Sequence, residues 1–123
     1  MNLFLIAIGG AIGSVARSLL STVLLRATGS LFPIGTFVVN VIGCLIFGAV
    51  IGAAQHRFTL TPETRAFLLV GVLGGFTTLS SYAFDSFGLM RDGQFVAATI
   101  NIVGQVILAL VAFWVGFAFG AIS

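Results

Sequence analysis

The chain has 123 residues, of which 59% are hydrophobic and 7% are charged, and its formal net charge is +2 at pH 7. So little polar surface excludes a soluble globular domain of this size, and nothing in the charge distribution favours a nucleic-acid partner. We therefore expect an integral membrane protein in contact with the lipid bilayer, organised as a single transmembrane domain over residues 1–123.

Four predominantly apolar runs are long enough to cross a bilayer, which takes roughly 20 residues of helix. They extend over about Leu3 to Leu25, Gly35 to Ala54, Ala66 to Met90 and Phe95 to Ile122. The loops between them are short and rich in turn-forming and charged residues. The predicted fold class is an all-α membrane protein with four transmembrane helices.

The first segment carries a charge at depth, Arg17. A guanidinium in hydrocarbon is costly, so such residues either serve a function or extend along the helix to reach the membrane edge. The sequence leaves both interpretations open. The functional one places a cation at the mouth of an aqueous vestibule.

Small residues at helical spacing predict close helix packing in the first two segments. They are Gly9 and Gly13 in the first segment and Gly43, Phe47, Gly48 and Gly52 in the second. Such stripes join helices of one chain or of two chains, and the pattern alone does not decide. Because four thin helices fill their own centre, we expect a permeation path between subunits, for which two inverted copies are the simplest arrangement.

Arginine placement predicts no preferred orientation in the membrane. The first and third loops contribute Arg26 and Arg91 to one side, and the second loop contributes Arg57 and Arg65 to the other. Orientation follows the Lys/Arg excess of short loops, so a chain this balanced inserts either way up. We predict dual topology.

The third segment contains a glycine pair followed closely by hydroxyl residues. The residues are Gly74, Gly75, Thr77, Thr78, Ser80 and Ser81. Backbone groups released from a helix are costly in hydrocarbon unless protein, water or an ion satisfies them. We therefore predict a break in this helix and place the functional part of the chain at residues 71–85.

Amide side chains accompany this motif in the second and fourth segments. Asn40 lies about one turn into the second, and Asn101 and Gln105 are four residues apart in the fourth, so a helix stacks them. Such amides also serve to join helices, but together with the hydroxyl residues they favour a pathway. Neutral donors and aromatic ring edges suit a small hydrated anion. The single cysteine, Cys44, is expected to be a small buried hydrophobe.

The missing residue types exclude other functions. No Ser/His/Asp set, metal-ligand cluster or phosphate-binding loop occurs, so we do not expect an enzyme. A small multidrug-type proton-coupled exporter requires an acid in the first helix, and residues 1–25 contain none. A non-transporting assembly subunit would explain the glycines but not the polar residues at depth.

Three motifs and one asparagine follow one another in a defined order. They are Gly-Ser-Val-Ala-Arg-Ser-Leu-Leu-Ser at 13–21, Gly-Thr-Phe-Val-Val-Asn at 35–40, Gly-Val-Leu-Gly-Gly-Phe-Thr-Thr-Leu-Ser-Ser-Tyr at 71–82, and Asn101. Over nearly the whole chain, their order and spacing resemble the family of small fluoride channels called Fluc, or CrcB. The combination is highly specific.

The resemblance implies a passive, fluoride-selective channel that exports fluoride from the cytoplasm across the bacterial inner membrane as a multi-pass protein. It implies an antiparallel, dual-topology homodimer with two pores and a central structural Na⁺. By resemblance, the backbone carbonyls that hold this Na⁺ belong to Gly74 and Thr77 of each subunit. The pore asparagine of the family maps to Asn40, and its two phenylalanines, whose ring edges face fluoride, map to Leu79 and Tyr82.

Leu79 departs from the family pattern, because an aliphatic side chain has no ring quadrupole, whereas Tyr82 keeps the ring. Either the pore tolerates a leucine, or this chain is one half of a heterodimeric fluoride channel. We expect the former, since the other elements of the motif are present. The predicted pore residues are Asn40, Thr78, Leu79, Ser80, Ser81, Tyr82, Asn101 and Gln105, with Arg17 at the vestibule.

Overall fold

A computed structural model describes residues 2–29, 32–56 and 58–122, with Arg57 of the topology prediction outside these ranges. Four helical spans within them are long and apolar enough to cross a membrane. They are Leu3–Thr28, Ile34–Gln55, Pro62–Arg91 and Phe95–Ile122. The predicted all-α membrane fold with four transmembrane helices is thus confirmed, and the chain is a multi-pass membrane protein.

We number the helices in chain order. α1 covers Leu3–Thr28, α2 covers Ile34–His56, α3 covers residues 62–76, α4 covers Leu79–Arg91 and α5 covers Phe95–Ile122. The stretches Arg65–Leu73 in α3 and Ile100–Gly104 in α5 have π-helical hydrogen bonding. Such wider turns are rare and occur frequently at functional sites.

Capping explains why the helices extend beyond the apolar runs. The side chain of Asn2 accepts a hydrogen bond from the backbone N–H of Leu5 at 3.1 Å, which satisfies a free donor at the start of α1. Gly29 ends α1 in the left-handed conformation, with φ 59°, which glycine adopts without steric cost. α3 begins four residues before the predicted Ala66, because Thr61 caps it and Pro62 occupies its first position.

Between α3 and α4 the backbone is extended. Thr77 has φ −92° and ψ 155°, and Thr78 has φ −152° and ψ 125°. α4 starts immediately afterwards, because the hydroxyl of Thr78 accepts a hydrogen bond from the backbone N–H of Ser81 at 3.2 Å. One of the hydroxyl groups noted in the sequence therefore serves to restart the helix.

Glycines bring helix pairs together within one chain. Four of them each face a backbone carbonyl oxygen of a neighbouring helix, so that any side chain would collide. The pairs are Gly9 with Phe67, Gly13 with Val72, Gly48 with Phe113 and Gly52 with Phe117. Hence α1 packs on α3 and α2 packs on α5. Of the two interpretations of the glycine stripes, packing within one chain is correct, and these four glycines give no support to a subunit interface.

The remaining members of the second stripe also contact other elements of the same chain, through side chains. Gly43 faces the methyl group of Thr77, and the rings of Phe47 and Phe113 lie 5.7 Å apart. The α2 stripe therefore reaches from the extended segment to the body of α5. It packs against the end of α3, the extended segment and α5.

The best-buried side chains at the centre of this arrangement include polar ones. Val39 and Asn101 are fully buried, and Ser86 and Gln105 are almost so. In the described ranges, every buried side-chain nitrogen or oxygen has a hydrogen-bond partner. The polar core is therefore a closed set of interactions, as a low-dielectric environment requires.

Candidate functional site

Asn40 holds the extended segment to α2. Its Nδ2 donates to the carbonyl oxygen of Thr78 at 3.1 Å, and its Oδ1 accepts from the backbone N–H of the same residue at 2.9 Å. The side-chain amide thus replaces both hydrogen bonds that this residue gives up when it leaves the helix. An unsatisfied pair would cost several kcal/mol in hydrocarbon, so this contact stabilises the break.

Arg17, on α1, binds the last turn of α3, next to the extended segment. Its Nε donates to the carbonyl oxygen of Gly75 at 3.2 Å, and the residue is half-buried. The guanidinium is therefore anchored to the backbone beside the break instead of extending freely to the membrane edge. A guanidinium carries five N–H donors in all, and within residues 2–29, 32–56 and 58–122 this is the hydrogen bond that Arg17 makes. Its place at a vestibule stays a prediction.

Two carbonyl oxygens of the break, those of Gly74 and Thr77, receive no hydrogen bond from the described part of the chain. In a continuous helix they would accept from the N–H groups of Thr78 and Ser81. Those groups instead bind Asn40 Oδ1 and Thr78 Oγ1. Gly74 itself is exposed. Uncharged oxygens of this kind are ligands for a hard cation.

A cleft of about 220 Å³ opens beside the break. Its lining residues are Asn40, Cys44, Thr77, Thr78, Leu79, Tyr82, Gln105, Val106 and Ala109. Five of the eight predicted pore residues are among them, whereas Ser80, Ser81 and Asn101 are not. The fold therefore brings residues from α2, α4 and α5 to one place.

Of the pore residues outside this lining, the two serines lie at the start of α4. Ser80 is exposed, with its hydroxyl 3.1 Å from that of Thr78. Ser81 contributes its backbone N–H to the cap of α4. The third, Asn101, is fully buried behind Gln105. These positions place Ser80 on the outer surface and Asn101 in the core.

Leu79 and Tyr82 occupy different environments in the cleft wall. Leu79 is 78% exposed, so most of its side chain contacts nothing in the same subunit. Tyr82 is half-buried, and its hydroxyl donates to the carbonyl oxygen of Ile102 in the π-helical stretch of α5 at 2.6 Å. This hydrogen bond holds the ring at a defined orientation.

The amides predicted from the sequence are in direct contact. Asn40 Nδ2 donates to Gln105 Oε1 at 2.6 Å, and Gln105 Nε2 donates to Asn101 Oδ1 at 3.0 Å. Asn101 Nδ2 then donates to the hydroxyl of Ser86 at 2.9 Å. Sequence reasoning missed Ser86, although its spacing of four residues from Tyr82 places both on one face of a helix.

Cys44 was expected to be buried, but it is half-buried and lines the cleft. The expectation of a small buried hydrophobe is therefore wrong in its burial. The signal was its spacing of four residues from Asn40, which stacks the two side chains on α2.

Comparisons with known proteins were made over the whole chain. The model of one protein family, described as "CrcB-like protein, Camphor Resistance (CrcB)", matches residues 4–117. A protein named "Fluoride-specific ion channel FluC" from Nitratidesulfovibrio vulgaris is 44% identical over 97% of this chain and 96% of its own length.

Two further proteins of that name are similarly close. The one from Maridesulfovibrio salexigens is 48% identical over 94% of this chain and 91% of its own length. The one from Opitutus terrae is 46% identical over 94% of this chain and 90% of its own length. The similarity therefore extends through all four spans.

Proposed function

The chain belongs to the CrcB-like protein family, and from this premise we propose that it is a passive, fluoride-specific ion channel of the bacterial inner membrane. The observation that carries the proposal is full-length similarity to proteins named as fluoride channels. The cleft beside the extended segment agrees with it, because uncharged polar residues from three helices line it. The protein is a channel and not an enzyme.

The chemistry of the cleft suits a small anion. Polar atoms of Thr78 and Gln105 offer hydrogen bonds without a competing negative charge, and the ring edge of Tyr82 carries partial positive charge. Arg17, anchored nearby at Gly75, adds a fixed positive charge that attracts anions towards the membrane. Fluoride thus exchanges its hydration shell for a row of uncharged donors and leaves the cytoplasm down its gradient.

The proposed assembly is an antiparallel, dual-topology homodimer with two pores. The cleft is open on one side, and Leu79 at its edge is largely exposed, so a second subunit is needed to complete the wall. The near-balance of arginines between the two sides of the membrane allows both orientations in one bilayer. The glycine stripes carry no part of this argument.

The proposed cofactor is a structural Na⁺ between the two subunits. The carbonyl oxygens of Gly74 and Thr77 would hold it, contributed by each subunit, and their lack of other partners fits such a role. In the described ranges no cluster of His, Cys, Asp or Glu offers an alternative metal site. When bound, the cation supplies positive charge that compensates these carbonyl dipoles and joins the subunits.

A heterodimer is the second candidate for the assembly, because Leu79 offers no aromatic edge to the ion. The homodimer is favoured since Asn40 and Arg17 make the contacts described above and the glycine pair is present. A proton-coupled exporter is disfavoured by the absence of an acid in residues 1–25.

Fluoride efflux from liposomes tests these alternatives. The purified chain, with no other subunit, is reconstituted without a proton gradient, and a fluoride electrode follows release of the ion. We expect rapid fluoride efflux and no comparable chloride efflux. Failure of the chain alone would contradict the homodimer, and efflux that requires a proton gradient would contradict a passive channel.

A further inference from the structure

Six polar groups beside the cleft are joined by five hydrogen bonds into one chain, which we call the amide relay. It runs from the N–H of Thr78 through Asn40, Gln105, Asn101 and Ser86 to the carbonyl of Tyr82. The distances are 2.9 Å (Thr78 N to Asn40 Oδ1), 2.6 Å (Asn40 Nδ2 to Gln105 Oε1), 3.0 Å (Gln105 Nε2 to Asn101 Oδ1), 2.9 Å (Asn101 Nδ2 to Ser86 Oγ) and 2.8 Å (Ser86 Oγ to Tyr82 O). The relay connects α2, α4 and α5 across the core.

The two ends of the relay fix its direction. The backbone N–H of Thr78 only donates, and the backbone carbonyl of Tyr82 only accepts. Each of the three carboxamides between them has a donor side and an acceptor side, so a single orientation joins both of its neighbours. A half-turn of any one amide places oxygen against oxygen and nitrogen against nitrogen.

Ser86 determines the direction at the α4 end. Its hydroxyl proton is committed to the carbonyl of Tyr82, four residues earlier on the same helix, so the hydroxyl presents a lone pair to Asn101. Asn101 is fully buried and Ser86 is 5% exposed, so no bulk water can take over either role. The nitrogen of Asn101 must therefore face Ser86, and its oxygen must face Gln105.

The direction of the relay decides what the cleft presents to an anion. Both N–H groups of Asn40 are used, one on the carbonyl of Thr78 and one on Gln105. Gln105 donates one N–H to Asn101, and its second N–H has no partner among the described residues. Gln105 lines the cleft, whereas Asn101 and Ser86 do not. Within the relay, the uncommitted amide N–H in the cleft wall thus belongs to Gln105.

We propose that Ser86 is a positioning residue for fluoride conduction, which holds the relay in the direction that keeps an N–H of Gln105 available to the anion. The proposal rests on the proposed function as a fluoride channel. Ser86 does not touch the ion. Without the hydroxyl of Ser86, the direction of the relay is fixed only at its Thr78 end. The buried side-chain nitrogen of Asn101 then gains a hydrogen-bond partner only if its amide rotates by a half-turn to face Gln105. The amide of Gln105 must rotate as well, so that its oxygen takes the place of its nitrogen.

The first experiment compares fluoride efflux in three variants. Ser86→Ala removes the acceptor, Ser86→Thr keeps a hydroxyl, and Thr99→Ala is the matched control, since its hydroxyl makes the same kind of bond, to Phe95 O at 2.9 Å, outside the relay. We expect Ser86→Ala to lower efflux by about tenfold, the equivalent of one well-formed hydrogen bond. Ser86→Thr and Thr99→Ala should conduct like the wild type. Wild-type efflux from Ser86→Ala would overturn the role of Ser86.

The second experiment monitors the side-chain amide protons of the relay and does not depend on a fluoride flux. The chain contains three asparagines and three glutamines, so isotope-labelled side-chain amides can be assigned in magnetic resonance spectra by single substitutions. In the wild type we expect both Asn40 N–H protons to exchange slowly with water and one Gln105 N–H to shift on addition of fluoride. In Ser86→Ala the Asn101 and Gln105 protons should exchange faster and the fluoride response should weaken.

The outcomes separate the proposals. A folded Ser86→Ala protein with reduced efflux but unchanged Gln105 exchange and fluoride response would mean a structural defect only, and would overturn the inference. A wild type that conducts no fluoride would overturn the proposed function, and the role in conduction with it. Wild-type conduction with an insensitive Ser86→Ala overturns the role of Ser86 alone.

Discussion

Individual side chains around the cleft combine two tasks, because the groups that would meet an ion also satisfy the backbone. Asn40 donates both of its N–H groups within the protein, to Thr78 and Gln105, and Arg17 donates its Nε–H to Gly75. A residue so occupied cannot reorient to follow an ion. At the residue scale the site is preorganised, and a few defined atoms keep the capacity to donate a hydrogen bond to an ion.

Leu79→Phe is the sharpest test of the pore assignment. Leu79 is 78% exposed at the edge of the cleft, so a larger side chain fits without displacing the core of the same subunit. A phenylalanine adds a ring edge with partial positive charge, so we expect fluoride efflux to be retained or raised. Efflux is measured from liposomes with a fluoride electrode, and Leu79→Met, of similar length without a ring, is the control. A clear loss in Leu79→Phe alone would show that this position does not face the ion.

Cys44 provides a second test, because it is the only cysteine in the chain and it lines the cleft. A water-soluble methanethiosulfonate reagent reaches this thiol only through water, and the attached group occupies the narrow space beside Asn40. We expect treatment to suppress fluoride efflux strongly in the wild type. Cys44→Ser, which conserves size, should conduct and resist the reagent. A wild type that is labelled at the thiol and still conducts fully would place the path elsewhere.

At the scale of elements, the sequence predicts the structure where one residue type meets one physical requirement. Apolar runs of sufficient length predicted the four spans, which the structure confirms. The glycine stripes were ambiguous because three- and four-residue spacing is the same for a helix of the same chain or of another. Only coordinates reveal that Gly48 faces Phe113 of its own subunit.

Contacts between distant elements lay beyond what spacing predicts. Asn40 and Thr78 are 38 positions apart, and Asn40 and Gln105 are 65 apart. Each of these three residues is recognisable in the sequence as a polar residue within a membrane span, but no periodic pattern indicates which of the others it contacts. Ser86 was missed for a related reason, since a single serine in a helix commonly bonds only to its own backbone.

Gly48→Ala tests the contact between α2 and α5. A Cβ at this position collides with the backbone of Phe113, whereas one at Gly88 in α4 meets nothing within 4 Å. Overpacking of this kind costs about 1–3 kcal/mol, so we expect Gly48→Ala to lower the thermal unfolding temperature in detergent. Gly88→Ala, the matched control, should be neutral or slightly stabilising because alanine favours helix. The fluorescence of Trp114 on α5, the only tryptophan, reports unfolding. Equal stability of both variants would contradict the tight contact.

At the scale of the whole molecule, the outside of the subunit is almost entirely apolar, and most of its described charges lie near the ends of the spans, whereas Arg17 lies at depth in α1. Large side chains such as Phe4, Phe84 and Trp114 are more than 70% exposed, as expected for a surface that faces lipid or a second subunit. The cleft opens on this surface. An open cleft on the outer surface and a near-balance of arginines between the two sides of the membrane agree with the proposed pairing with an inverted copy.

Dual topology is tested by labelling from outside the membrane. In a Cys44→Ser background, Gln94→Cys places a thiol in the exposed loop between α4 and α5. We expect a membrane-impermeant reagent to label a substantial fraction of the protein from each side. Adding Asp92→Lys should shift the population so that this loop lies on the cytoplasmic side, because short-loop cations set orientation. Labelling from one side only, without the added lysine, would contradict dual topology.

The order in which Asn40 and Thr78 are synthesised has a consequence for insertion of the chain into the membrane. Asn40 precedes Thr78 by 38 positions, so the amide that satisfies the interrupted peptide is already in the bilayer when that peptide arrives from the translocon. Gln105, which comes later, then closes the contact from its other side. In a nascent chain, the backbone groups of Thr78 therefore spend little time in lipid without a hydrogen-bond partner. A permuted chain in which α2 is synthesised last should insert its third span less efficiently.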